Sequence, residues 1–111
     1  MISVDLYLLK PARVSAAQLA MLPETLSPTE LQQWQEIQHP DRRQEFLVSR
    51  SLLRCLLAAR LQCQASELLF CTHLHGKPAL SDPRWQFNQS HSGDWLVIEL
   101  CATGPLGVDH A

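Results

Sequence analysis

The stretch HPDRRQEFLVSRSLLRCLLAARL, residues 39–61, decides the fold. His39-Pro40-Asp41 restarts the chain into its longest helix, over about residues 41–61. Phe46, Leu53, Leu57 and Leu61 share one side of that helix, while Leu52 and Leu56 lie elsewhere on its circumference. A helix apolar on more than one face is usually buried on more than one face, so this segment is read as the spine of a single domain, 1–111. Upstream, Ser27-Pro28-Thr29-Glu30 places a hydroxyl at N-cap, proline at N1 and a carboxylate at N3, a capping box, and Leu31, Trp34 and Ile37 follow at helical spacing. A shorter helix near 15–22 starts at Ser15. Ahead of it, Ile2, Val4, Leu6 and Leu8 alternate with Ser3, Asp5 and Tyr7 as on a strand, which Pro11 ends.

Beyond residue 65 the period changes. Leu68–Thr72 is strand-like, Gly76 and Pro78 bracket a loop, and Asp82-Pro83 makes a turn. Trp85, Phe87 and Gln89 alternate with Gln86, Asn88 and Ser90. Ser92-Gly93-Asp94 turns the chain into Trp95–Ala102, the best strand candidate, and Gly104-Pro105 leads into Leu106–Asp109. Helices first and strands later favour an α+β fold over a doubly wound sheet.

Composition narrows the function classes. A net charge of −2 gives no reason to expect sequence-independent nucleic-acid binding. No segment approaches the roughly 18–20 apolar residues of a membrane span, and Asp5 interrupts any apolar core of a signal peptide, so the chain is expected in the cytoplasm. The four cysteines, Cys55, Cys63, Cys71 and Cys101, form no CxxC pair and are read as small, mostly buried, reduced side chains. Cys71-x-His73-x-His75 could point alternate residues one way, but a fourth ligand at recognised spacing is missing, which argues against zinc.

Four constellations could carry chemistry. At roughly 100° per residue, Arg43, Arg50 and Arg54 fall within about 40° of one another beside apolar surface. Such guanidinium groups need a partner: either a phosphate, or, as the favoured alternative, snorkelling or salt bridges to local acids such as Glu45. Gly76-Lys77-Pro78 can present an ammonium from a loop. Asn88-Gln89-Ser90-His91-Ser92-Gly93-Asp94 sets short polar side chains and an imidazole where a strand breaks into a turn, a small anion-receiving surface. A Ser–His nucleophile pair is disfavoured there, because adjacent strand residues face opposite ways. Gly107-Val108-Asp109 ends in a carboxylate that could ligate Mg²⁺.

In their order and spacing, Arg50-Ser51-Leu52-Leu53, Gly76-Lys77-Pro78, Phe87-Asn88-Gln89-Ser90-His91-Ser92-Gly93 and Pro105-Leu106-Gly107-Val108-Asp109 resemble the N-terminal half of the Sfp-type 4′-phosphopantetheinyl transferases, from about residue 27 onward. The resemblance implies an α+β fold, one half of a pseudo-dimer, with a long helix packed on a small, mostly antiparallel sheet. It implies that Arg50 and Ser51 approach the 3′-phosphate region of coenzyme A. Gly76, Lys77 and Pro78 would lie beside its adenine and phosphates, Ser90 and His91 would hold the phosphates, and Asp109 would be the first ligand of a catalytic Mg²⁺. In that family a serine of an acyl or peptidyl carrier protein attacks the coenzyme A pyrophosphate and releases 3′,5′-ADP, with the metal neutralising charge.

The departures matter as well. The family continues Asp-x-Glu, whereas His110 and Ala111 follow Asp109, and the second half with its W-x-x-K-E segment is absent. Gln89 stands where the family has an apolar residue. No catalytic set is complete in this chain. The sequence therefore leads to a transferase half that works only when completed by a second half or by self-association, or to a non-catalytic remnant that binds coenzyme A or a carrier protein.

Overall fold

Serine caps open both early helices. Ser15 Oγ accepts the Gln18 backbone N–H at 3.2 Å, and the Gln18 side chain accepts the Ser15 N–H at 3.1 Å, starting α1, Ala16–Met21. The expected Ser27 box closes reciprocally with Glu30, both bonds at 3.2 Å, and starts α2, Pro28–Glu36. The spine helix, α3, runs Pro40–Leu61. It stops at Gln62 in the left-handed region, φ 56°, with the Gln62 and Cys63 N–H groups both turned to the Ala58 carbonyl.

The computed structural model describes residues 3–72, 78–82 and 84–102, and divides into two compact units. The helical unit comprises Lys10–Leu68 with Gly93–Trp95. Within it α3 contacts α2 and three short 3-10 turns, Pro11–Arg13, Leu22–Thr25 and Ala65–Glu67. Leu47, Val48, Leu53, Leu57 and Ala58 of α3 are buried together with Leu26 and Leu68, the core this spine was expected to provide. A long bond fastens one turn: the Gln44 side-chain amide donates to the Pro11 carbonyl at 2.8 Å.

The sheet unit holds β1, Ser3–Leu9; β2, Phe70–Thr72; β3, Pro78–Leu80; β4, Trp85–Ser92; and, from Leu96 onward, β5, Trp95–Ala102. One sheet has the order β1-β5-β4, with β1 and β5 antiparallel; β2 and β3 form an antiparallel pair of their own. Phe70 meets Phe87 edge to face at 5.6 Å, joining β2 to β4. Two readings change. Pro78 opens a short strand rather than closing a loop, tolerated because a first strand residue need not donate an N–H. The polar run through Ser92 stays in β4, and the turn is Gly93-Asp94, with Gly93 at φ 60°.

Register separates the faces of β1. Asp5, Tyr7 and Leu9 pair with Leu100, Ile98 and Leu96, all three of which are fully buried. Val4, Leu6 and Leu8 share the other face, 56%, 58% and 56% exposed. The apolar side of the alternation is therefore the open side.

The cysteines are free thiols as expected, but their expected burial is overturned: Cys55, Cys63 and Cys71 are exposed and Cys101 is half-buried. Cys55, though exposed as a residue, has a partly covered thiol, and desolvation raises its pKa. No helix among the described residues is long and apolar enough to cross a membrane.

Candidate functional site

Glu30 organises the helical unit's charges. One carboxylate oxygen, besides accepting the Ser27 N–H, accepts Nε of Arg54; the other accepts Nη1 of Arg50 at 3.3 Å. Glu30 and Arg54 are buried, at 5% and 2% exposure. Nη1 of Arg54 donates to both the Ala65 and Leu68 carbonyls, at 2.7 and 3.0 Å. A buried ion pair is tolerable when its other donors and acceptors are satisfied in this way.

The arginine stripe is thus split three ways. Arg54 is a buried strut. Arg50 keeps a partly exposed side chain, one arm on Glu30 and its guanidinium 5.2 Å from the Phe46 ring. Arg43 lies over the Trp34 ring at 4.6 Å. The acid that pairs with Arg50 and Arg54 is Glu30, brought from another helix, where the sequence pointed to local acids such as Glu45. The signal was present in the capping box, but nothing local says that the box's carboxylate faces another helix.

Ser51 is fully buried and its hydroxyl donates to the Leu22 carbonyl at 3.2 Å. That contact makes it a support of α3 and leaves it no surface for a ligand.

In the sheet unit, Ser90 and His91 are consecutive residues of β4 and both exposed. Successive strand residues project to opposite faces, so they do not form a nucleophile–base pair. Gln89, half-buried, precedes them. β4 is an outer strand of its three-stranded sheet, with the tight Gly93-Asp94 turn immediately beyond Ser92. Pro78 begins β3, its backbone opposite Thr72. Gly76, Lys77 and Asp109, and with them His73 and His75, lie outside the described residues. Among the described residues no group of three or more His, Cys, Asp or Glu side chains could hold a metal ion. These residues alone do not fit a Mg²⁺ centre.

A family model described as 4′-phosphopantetheinyl transferase, N-terminal, matches residues 13–102. The putative 4′-phosphopantetheinyl transferase slr0495 of Synechocystis is 40% identical over 88 residues, covering 76% of this chain and 35% of the relative. The 4′-phosphopantetheinyl transferase Sfp of Bacillus subtilis is 31% identical over 85 residues, 76% of this chain and 38% of the relative. HetI of Nostoc, also a 4′-phosphopantetheinyl transferase, is 31% identical over 97 residues, 84% and 41%. The chain spans well under half the length of each of these relatives. The matched stretch contains Arg50, Ser51, Ser90 and His91 and stops short of Asp109.

Proposed function

This chain belongs to the 4′-phosphopantetheinyl transferase family, and from that premise we propose that it supplies the coenzyme A-gripping portion of such an enzyme. The observation that carries the proposal is the exposed Ser90-His91 pair on an outer strand, inside the matched stretch. An imidazole, a hydroxyl and the adjoining turn can receive phosphate oxygens. Arg50, whose side chain is still partly exposed, is the helical unit's contribution. Lys77 and Asp109 enter as expectations of the resemblance. No step here runs through Mg²⁺, since the described residues do not form its site.

The reaction proposed for the completed enzyme joins the carrier serine Oγ to the phosphorus bearing phosphopantetheine. It breaks the pyrophosphate bond and releases 3′,5′-ADP as leaving group, and the serine proton passes to a base. The resemblance implies that the remaining metal carboxylates come from the Asp-x-Glu continuation and the W-x-x-K-E segment of the family. The open aliphatic face of β1 supports completion by a second half, because three large apolar side chains more than half exposed on one strand face are a surface of the kind partners cover.

Calorimetric titration with coenzyme A tests the reading. His91→Ala and Arg50→Ala should each weaken binding by about tenfold or more, as the loss of a charge-assisted contact does. Unchanged affinity in both variants removes the phosphate assignment. Transfer of labelled phosphopantetheine to an apo carrier protein should be undetectable with this chain and Mg²⁺ alone; turnover would overturn the requirement for a second half. The alternative is a remnant that binds coenzyme A or a carrier protein without catalysis. It is distinguished by coenzyme A binding that never becomes transfer, even with the remaining portion of a relative added.

A further inference from the structure

One member of the arginine stripe is left unaccounted for. Arg54 and Arg50 are held by Glu30, whereas Arg43 makes no ion pair among the described residues and rests only on the Trp34 ring. Trp34 is unusual in its own right: its indole Nε1 is buried and has no hydrogen-bond partner among the described residues. A buried donor without an acceptor carries a desolvation penalty and is rare in folded proteins, so each instance calls for an explanation.

Both side chains line one cavity of about 370 Å³, built entirely within the helical unit by α1, the Leu22–Thr25 turn, α2 and the start of α3. Its apolar wall includes Leu19, Pro23 and Leu47, and Arg43 is its only charged lining residue. The other polar lining group, the Gln44 amide, already donates to Pro11. The cavity therefore combines a cation lacking a carboxylate with an aliphatic wall, beside a tryptophan whose covered N–H lacks an acceptor among the described residues. Ligand sites share that make-up, at roughly 300–1,000 Å³.

We propose that this cavity binds a small monocarboxylate carried on an aliphatic body. The carboxylate sits on the Arg43 guanidinium, whose paired N–H groups match its two oxygens. The same anion takes up the Trp34 N–H as the long Arg43 side chain shifts off the ring, and the aliphatic tail lies on Leu19, Pro23 and Leu47. A single negative charge suits one cation and one neutral donor; a phosphate monoester, carrying nearly two charges, would be under-compensated. The site is independent of the coenzyme A reading, because Arg50, Ser90 and His91 do not line it.

The probe is octanoate, titrated into ¹⁵N-labelled full chain and followed through the indole N–H resonances of the three tryptophans. Trp34→Phe, which keeps an aromatic ring under Arg43, identifies the Trp34 signal by its loss. Octanoate should move that resonance saturably and leave those of Trp85 and Trp95 in place. Octan-1-ol and octylamine should bind at least about tenfold more weakly, as should octanoate in Arg43→Ala, for want of the charge-assisted contact. No saturable shift at Trp34, equal binding of the alcohol, or tighter binding of octyl phosphate would each overturn the assignment. The wild-type comparison of carboxylate with alcohol needs no variant, so the proposal stays falsifiable even if Arg43→Ala fails to fold.

Discussion

The helical unit and the sheet unit treat the same problem, a side chain in the wrong medium, in opposite ways. In the helical unit the misplaced groups are charges, and they are closed in: Glu30 and Arg54 are buried, and each holds several hydrogen-bond partners. In the sheet unit the misplaced groups are aliphatic, and they are left out: Val4, Leu6 and Leu8 stand more than half exposed, while the opposite face packs around Leu96, Ile98 and Leu100. A closed polar network signals a finished piece of structure. An open apolar face signals a surface for something else, and the limited share of each relative that this chain covers is consistent with that difference.

The sharpest way to break the contrast is Glu30→Ala. It strands the buried Arg54 charge and opens the α2 cap together, and should cost about 3–5 kcal/mol in urea unfolding. Adding Arg54→Met should restore much of that loss, and a double-mutant cycle measures how much. Next comes a paired test across the two faces of the sheet. Ile98→Ala, at a fully buried site, should cost about 2–5 kcal/mol. Leu6→Lys should change the stability of the isolated chain by no more than about 0.5 kcal/mol while abolishing co-elution with the remaining portion of a relative. If Leu6→Lys unfolds the chain, the open-face description is wrong.

Much of the helical unit was legible because its signals are local. Ser27-Pro28-Thr29-Glu30 specifies its own cap within four residues, and α3 announces itself by length and apolar content. The pairing of Glu30 with Arg54 spans 24 residues and depends on how two helices dock, which no local pattern encodes. Alternation in β1 showed which side chains share a face but not which face is covered. β3, three residues long and opened by a proline, is too short to carry a period. For the candidate site, the strand placement of Ser90 and His91 was readable, whereas the burial of Ser51 was not: it reflects the Leu22 carbonyl arriving from a distant turn.

Two smaller effects sharpen the picture. Gln62→Gly should stabilise the chain by about 0.5–1 kcal/mol, because a left-handed cap residue without a Cβ relieves the strain at φ 56°; thermal denaturation reads it. In the sheet unit, Arg84 donates to both Asp82 oxygens and lowers that carboxyl's pKa. A carboxyl depressed by folding adds stability above its unfolded pKa and loses it as the pH falls through the folded value. Asp82→Asn should therefore remove a small, salt-screened increment at neutral pH and none in strong acid. Stability measured against pH at low and high salt checks it.

The shared carboxylate of Glu30 has a kinetic corollary. Since one side chain both starts α2 and clamps it to α3, unwinding the first turn and undocking the helix are a single event. Amide protons at Glu30 and Leu31 should then share one opening free energy with the other protected amides of α2, so that α2 opens as a latch instead of fraying from its end.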